Sequence, residues 1–181
     1  MESKLKGMLL EKRYRHSVNV METAVKMAEF YNADVEKARV AGLLHDCAKN
    51  YSTAQMLELC NLYGIELDSV SKAQPGLIHA FLGAEVAKRE FGIDDDEIYD
   101  AIYYHTVGKP AMNLLTKIIY IADGIEPLRT YEGVDTLREI AFHDIDKAII
   151  YQMDMTIKQV IKKGTLLHPG TVNTRNYYIS R

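Results

Sequence analysis

The apolar residues of this chain recur at the spacing of an α-helix, and no other feature limits its fold as strongly. The pattern is clear in a helix predicted from about Arg15 to Tyr31, whose apolar face carries Val18, Met21, Val25 and Ala28. Residues three or four apart share one side of a helix, whereas a β-strand alternates with a period of two. Because that alternation is nowhere sustained, the sequence predicts an all-α fold.

Helix boundaries are predicted from residues that satisfy or end the free backbone groups of a helix. The predicted N-caps are Asp34, Ser52, Asp94 and Asp144, and the predicted stops are Gly64, Gly92 and Gly164. Pro169 and Gly170 follow the last stop, and such residues interrupt regular structure. We therefore expect residues 1–181 to form a single domain, with roughly residues 165–181 as an irregular C-terminal extension packed on it.

Size, charge and cysteine content exclude several classes of protein. A chain of 181 residues can bury a substantial core as one domain. A net charge of −3 gives no general attraction to nucleic acid. No run approaches the roughly 20 apolar residues of a membrane span. With only Cys47 and Cys60 and no secretory segment at its start, the chain is expected to be cytoplasmic. An exposed apolar face on one helix would allow the protein to form a homodimer.

Side chains with metal-binding chemistry are spread along the predicted helices and their ends. In chain order they are His16, the adjacent pair His45 and Asp46, His79, His105 and Asp123. Asp123 stands out because it interrupts the apolar run 118–125, and an unpaired buried carboxylate costs several kcal/mol. A capping or ion-paired aspartate would also explain it, and any single histidine can be an ordinary core or surface residue. His143 and His168 are not assigned to a metal.

The complete order of these residues resembles that of the HD-domain metal-dependent phosphohydrolases. The resemblance implies a helical bundle with the metal site between its helices. It also implies two groups of ligands that share Asp46. The first metal would be held by His16, His45, Asp46 and Asp123, and the second by His79, His105 and Asp46.

Three longer motifs are similar to those of the YqeK-type HD proteins, and the similarity covers essentially the whole chain. The motifs occupy residues 45–50, 122–129 and 167–177. YqeK-type proteins are symmetrical bis(5'-nucleosyl)-tetraphosphatases, which hydrolyse diadenosine tetraphosphate to two ADP. The resemblance therefore implies a hydrolase that acts on dinucleoside polyphosphates and releases ADP-like or GDP-like products.

The donor set favours particular metals and one kind of chemistry. Neutral imidazoles and carboxylates together suit iron, manganese or zinc, whereas magnesium prefers mostly oxygen ligands. We expect two divalent ions, with iron as the first choice and manganese or zinc as alternatives. Two such ions about 3.5–4 Å apart can activate a water and polarise a phosphoryl group, and Asp46 would be central to catalysis as the shared ligand.

Four basic residues are candidates for binding the phosphate chain. Lys49 lies about one helical turn beyond Asp46 and is expected to contact a phosphate oxygen close to the reaction. Arg129 carries a planar guanidinium suited to phosphate, although an ion pair with Glu126 or Glu132 would also explain it. The weaker candidates are Lys109, in the loop after His105, and Arg13, close before His16.

Other functions remain open from the sequence alone. An HD nucleotidase acting on a different nucleotide would use similar chemistry, but the members with one metal need neither His79 nor His105. A cyclic-dinucleotide phosphodiesterase of this type normally carries a Gly-Tyr-Pro signature, which is missing here. A catalytically silent nucleotide-binding HD module would commonly lack some of the six ligands. A nuclease is not supported because there is no basic stripe.

Overall fold

The computed structural model describes residues 1–181 and contains eleven α-helices and no β-strand, which confirms the all-α prediction. None of the helices combines the length and the apolar character that crossing a membrane would require. The helices are α1 (Glu2–Met8), α2 (Glu11–Tyr31), α3 (Val35–Leu44), α4 (Thr53–Tyr63), α5 (Ser69–Ala73), α6 (Ile78–Phe91), α7 (Asp96–Tyr104), α8 (Leu114–Ile125), α9 (Val134–Ala141), α10 (Ile145–Lys163) and α11 (Pro169–Ile179).

Most of the predicted helix caps are present. The side chains of Asp34, Ser52 and Asp144 accept hydrogen bonds from backbone N–H groups at the starts of α3, α4 and α10. The prediction of Asp94 is wrong by one residue, since the side chain of Asp95 caps α7 by accepting from the N–H groups of Glu97 and Ile98. Asp94, Asp95 and Asp96 are consecutive, and residue type alone could not decide which of them would stand just outside the helix.

The prediction that the C-terminal extension is irregular is also wrong. Helix α11 occupies most of it, and its start explains the error. His168 is the N-cap, and its Nδ1 accepts a hydrogen bond of 2.9 Å from the N–H of Gly170. Pro169 stands at the first helical position, where its missing N–H costs nothing. The helix packs on α10, and Tyr178 accepts a hydrogen bond from the N–H of Met112.

Helix α8 lies at the centre of the bundle and contacts α2, α3, α7, α9 and α10. Its middle turns are buried on all sides, and Ile118, Ile119, Ile121 and Ala122 have no exposed surface. A helix that is apolar all round is stable only inside a core. Asp123 follows this buried stretch directly, so the packing that fixes α8 also fixes the position of its carboxylate.

Helices α2 and α3 approach each other very closely at Gly42. A Cβ atom on Gly42 would lie 2.8 Å from the Cα of Met21, which is shorter than a normal contact. The obstructing atom belongs to the backbone, so it cannot rotate away. Gly42 lies three residues before His45, and its carbonyl oxygen accepts a hydrogen bond from the His45 ring. The close contact between the helices therefore also positions one of the candidate ligands.

Replacing Gly42 by alanine is expected to destabilise the protein. The added methyl group would push α2 and α3 apart, and overpacking of this kind costs about 1–3 kcal/mol. Urea unfolding should show this loss in the G42A variant. The matched control is G7A in α1, where nothing lies within 4 Å of the added Cβ and the change should be neutral or slightly stabilising. Equal stability of the two variants would contradict this description of the packing.

Candidate metal centre

Five helices bring the six candidate ligands to one place. His16 lies in the second turn of α2, His45 directly follows α3 with Asp46 next to it, and His79 lies in the first turn of α6. The last two are His105, which caps the end of α7, and Asp123 in the last turn of α8. The four histidines and Asp46 are all buried. Residues far apart in sequence thus form one cluster.

The two oxygens of the Asp46 carboxylate face different pairs of imidazoles. Oδ2 lies 3.7 Å from Nε2 of His16 and 3.5 Å from Nε2 of His45. Oδ1 lies 3.1 Å from Nε2 of His79 and 3.7 Å from Nε2 of His105. The cluster therefore has an Oδ2 side and an Oδ1 side, which share one carboxylate.

Asp123 belongs to the Oδ2 side of the cluster. Its Oδ1 lies 3.0 Å from Nε2 of His16 and 3.9 Å from Nε2 of His45. The ligand atoms of these three residues lie within 4.8 Å of one another, and the same holds for His45, Asp46 and His105. The first group is compact enough for its members to bind a common ion, and the second group spans both sides of the cluster through Asp46.

Each of the four histidines in the cluster makes a hydrogen bond through Nδ1, so Nε2 is the ring nitrogen that faces Asp46. In three cases Nδ1 lies 2.7 Å from the carbonyl oxygen three residues earlier, and these pairs are His45 with Gly42, His79 with Gly76 and His105 with Ile102. A carbonyl can only accept, so Nδ1 must carry the proton and donate it. Nε2 is then unprotonated in the neutral ring, and its lone pair points into the cluster, as in metal-binding histidines.

His16 uses a carboxylate instead of a carbonyl. Its Nδ1 lies 3.1 Å from Oε1 of Glu126, which is buried. Oε2 of the same carboxylate accepts hydrogen bonds from Asn19 and from the N–H of Leu128. Sequence reasoning considered Glu126 only as a partner of Arg129 and missed this contact. The chain separation of 110 residues between His16 and Glu126 left no local pattern that could reveal it.

Burial and neighbouring charges set the protonation of the cluster. Burial lowers the pKa of both His45 and His79 to about 4, against the opposing effect of Asp46. Burial alone would raise the pKa of Asp46 and Asp123, but the surrounding imidazoles outweigh it and the pKa of each is lowered. At neutral pH the cluster therefore holds two ionised carboxylates and at least two neutral imidazoles, which is the state that binds a metal.

The donor atoms fit a divalent cation. Nε2 of His16 and Nε2 of His45 are buried and make no hydrogen bond, although buried polar atoms are normally paired. Nε2 of His79 and Nε2 of His105 face each other at 3.2 Å, and both rings donate their proton on the far side. Lone pairs that converge without a proton between them are suited to a positive ion.

Three of the four predicted phosphate-binding residues border the cluster. Arg13 donates a hydrogen bond of 2.6 Å to Oδ2 of Asp46, and Arg129 donates one of 2.5 Å to Oδ1 of Asp123. Nζ of Lys49 lies 3.0 Å from Nε2 of His79. Burial lowers the pKa of Lys49, although Asp46 opposes that effect. These contacts put positive charge at both sides of the cluster.

The fourth candidate, Lys109, and the two unassigned histidines lie outside the cluster. Lys109 pairs with Asp100 at 2.5 Å and covers the ring of Tyr104, and it lines a cleft that contains none of the six candidate ligands. His168 also lines that cleft and pairs with Asp68. His143 is exposed.

Comparison with known proteins agrees with the geometry of this cluster. The sequence model of the HD domain family matches residues 13–128 of this chain, and this stretch includes all six candidate ligands. The chain therefore belongs to the HD-domain family. Membership implies a bound divalent metal, for which the cluster provides the His and Asp donors.

Full-length relatives narrow the class further. The chain is 40% identical to a protein of Bacillus subtilis over 97% of its own length and 94% of the relative's, and that relative is a symmetrical bis(5'-nucleosyl)-tetraphosphatase. A protein of the same name from Staphylococcus aureus is 38% identical over 96% of this chain and 90% of its own. These similarities confirm the resemblance to the YqeK type that the three motifs predicted.

A solved structure shares the complete fold. It is a protein from Clostridium acetobutylicum described as a predicted HD superfamily hydrolase involved in NAD metabolism. The two superpose with a TM-score of 0.97, the identity is 49%, and the match covers 99% of this chain and 95% of the other. The arrangement of helices around the cluster is therefore shared with an experimentally solved relative.

The lowered pKa values of His45 and His79 predict how the stability of the metal-free protein depends on pH. In the unfolded chain these side chains take up protons near pH 6.5, whereas in the folded protein they do so near pH 4. Between these values the unfolded chain binds more protons, so the contribution of both histidines to the free energy of unfolding falls as the pH falls. Urea unfolding of metal-free protein from pH 7 to 4 measures the combined dependence of all groups.

The H79Q variant isolates the part that His79 contributes. It lacks one of the two titrating side chains, so its stability should decline less steeply than that of the unchanged protein over the same pH range. Identical slopes for the two proteins would contradict a lowered pKa at His79.

Proposed function

We propose that this protein hydrolyses diadenosine tetraphosphate, and related dinucleoside polyphosphates, to two nucleoside diphosphates. One observation carries the proposal. The six candidate ligands form one cluster with Asp46 at its centre, in a chain that is 40% identical, over 97% of its length, to a symmetrical bis(5'-nucleosyl)-tetraphosphatase. A silent binding module would have no need to keep both sides of this cluster complete.

Asp46 would be the shared ligand of two divalent cations. His16, His45 and Asp123 would complete the Oδ2 side, and His79 and His105 would complete the Oδ1 side. Bound there, the two cations would lower the pKa of a water and polarise the phosphoryl group. The mixed imidazole and carboxylate donors support iron as the native metal, with manganese and zinc as alternatives.

Arg13, Arg129 and Lys49 would bind the phosphate chain. The two guanidiniums pair with Asp46 and Asp123, so both lie at the edge of the cluster. From this position they would be within reach of phosphate oxygens of a bound substrate. Charge-assisted contacts of this kind stabilise the extra negative charge of the transition state. Lys109 is left out because its amine pairs with Asp100.

Symmetrical cleavage requires attack by water at one of the two central phosphorus atoms. The oxygen of water forms the new P–O bond, and the bridging oxygen leaves with the other nucleoside diphosphate. The basic side chains must therefore hold one nucleoside diphosphate half so that an inner phosphorus faces the cluster. The relatives' names support this position of attack.

Two further expectations accompany the proposal. The reaction would take place in the cytoplasm, and Cys47 and Cys60, which are both free and buried, are compatible with a reducing compartment. A homodimer remains a prediction.

Product analysis tests the proposed reaction. The purified protein, with its metal content measured, is incubated with diadenosine tetraphosphate and the nucleotides are separated by ion-exchange chromatography. ADP should be the sole product. A mixture of ATP and AMP would contradict symmetrical cleavage, and no turnover by protein that holds two metal ions per chain would point to a different phosphate ester.

The D46N variant is the matched negative control. It keeps the size of the side chain but removes the charge shared by both sides, so metal binding should be lost. The rate should then fall by more than about a thousandfold, because metal ions supply several kcal/mol of transition-state stabilisation. D94N, which changes an aspartate whose side chain is 95% exposed, should retain activity. Full activity of D46N would refute the two-metal assignment.

Removing the guanidinium of Arg129 tests its proposed contact with phosphate. The R129Q variant should lower kcat/KM by about 10- to 100-fold, since a hydrogen bond to a charged group contributes about 1.5–3 kcal/mol. Its metal content should not fall, because Asp123 loses a competitor for its oxygen. R89Q, which removes an exposed arginine paired with Glu85, is the control and should be unaffected. Unchanged kcat/KM in R129Q would exclude the contact.

A further inference from the structure

Glu126 has a buried carboxylate, and both of its oxygens accept hydrogen bonds. The residue is 2% exposed and stands just beyond the end of α8. Oε1 lies 3.1 Å from Nδ1 of His16, while Oε2 accepts 3.0 Å and 2.8 Å hydrogen bonds from Asn19 and from the N–H of Leu128. Such a carboxylate has one available orientation, and in that orientation it fixes the ring of His16.

The backbone of Glu126 is held as firmly as its side chain. Its N–H donates to the carbonyl of Ala122, and its own carbonyl accepts a 3.1 Å hydrogen bond from the guanidinium of Arg138. Arg138 also binds the carbonyls of Ile125 and Arg129. The turn after α8 is thus tied to α9, and Glu126 is placed by the packing of the bundle independently of His16.

The contact between Glu126 and His16 makes the two sides of the cluster unequal. The other three histidines donate Nδ1–H to neutral backbone carbonyls, and two of those three form the Oδ1 side. Only His16, on the Oδ2 side, donates to a carboxylate. A negative acceptor behind an imidazole makes the opposite nitrogen a stronger donor to a cation than a neutral carbonyl does.

We propose that Glu126 is a positioning residue that strengthens cation binding specifically on the Oδ2 side, through the ring of His16, and makes that side the tighter of the two divalent-cation sites. The inference rests on the two-metal cluster of the proposed function. It adds an order of occupation: the Oδ2 side binds a cation at lower concentration than the Oδ1 side.

Glutamine cannot replace this carboxylate. Three hydrogen-bond donors surround the two oxygens of Glu126, namely the His16 ring, the Asn19 amide and the Leu128 N–H, and Nε of Arg129 lies 3.8 Å from Oε1. A glutamine amide offers one oxygen, so its NH₂ group must face at least one donor. If the NH₂ group faces His16, the ring must place its proton on Nε2, where it blocks a cation. In the other orientation the negative charge behind the ring is lost.

The experiment measures Mn²⁺ binding to the full chain by equilibrium dialysis and elemental analysis, so it does not depend on hydrolysis. Each side is isolated by disabling the other, with H79Q leaving the Oδ2 side and H16Q leaving the Oδ1 side. In the H79Q background E126Q should weaken Mn²⁺ binding by about 10- to 100-fold, the usual effect of removing such an outer partner. In the H16Q background E126Q should change it by less than about twofold, because the affected ring is absent.

Two further variants separate a positioning role from a structural one. E132Q removes an exposed carboxylate six residues away and should leave Mn²⁺ binding unchanged. N19A removes one donor that holds Glu126 and should produce a smaller loss, confined to the Oδ2 side, which keeps the test valid if E126Q folds poorly.

The possible results give distinct answers. A loss in both backgrounds would show a general structural effect and overturn the inference, as would no loss in either. In the unchanged protein two Mn²⁺ ions should bind in succession, and two equal affinities would also overturn it. Failure of the unchanged protein to bind any Mn²⁺ would instead refute the metal cluster of the proposed function, and the inference with it.

Discussion

The buried carboxylate of Asp46 interacts with four imidazoles at once, and the arrangement of the helices around it serves that contact. Oδ2 faces His16 and His45, and Oδ1 faces His79 and His105. An ionised carboxylate buried without partners would cost several kcal/mol, and the ion pair with Arg13 offsets part of that cost. One side chain thereby divides the cluster into two sides while belonging to both.

The bundle keeps those imidazoles aimed by means that are independent of any metal. Three rings donate to the carbonyl three residues earlier, so each ring orientation follows from the backbone near a helix end. The contact of Gly42 with Met21 and the buried core of α8 fix the positions of α3 and Asp123. Because the ligands are placed when the protein folds, no free energy of substrate binding is needed to position them.

The sequence predicted those parts of the protein that depend on local pattern or on ligand order. Helical spacing was sufficient for the fold class, and the order from His16 to Asp123 identified a family whose ligands converge in the structure. Contacts between residues far apart in the sequence could not be predicted, and for this reason the hydrogen bond between Glu126 and His16 was missed. The helix that begins at Pro169 was missed for a different reason, because proline is both a helix breaker and a favoured first residue of a helix.

The central claim is that Asp46 joins two cation sites, and anomalous X-ray diffraction from crystals grown with Mn²⁺ tests it most directly. The account predicts two anomalous peaks on opposite sides of the Asp46 carboxylate. One would be bound by His16, His45 and Asp123, and the other by His79 and His105. A single peak at full Mn²⁺ occupancy, or two peaks of which one does not touch Asp46, would contradict it.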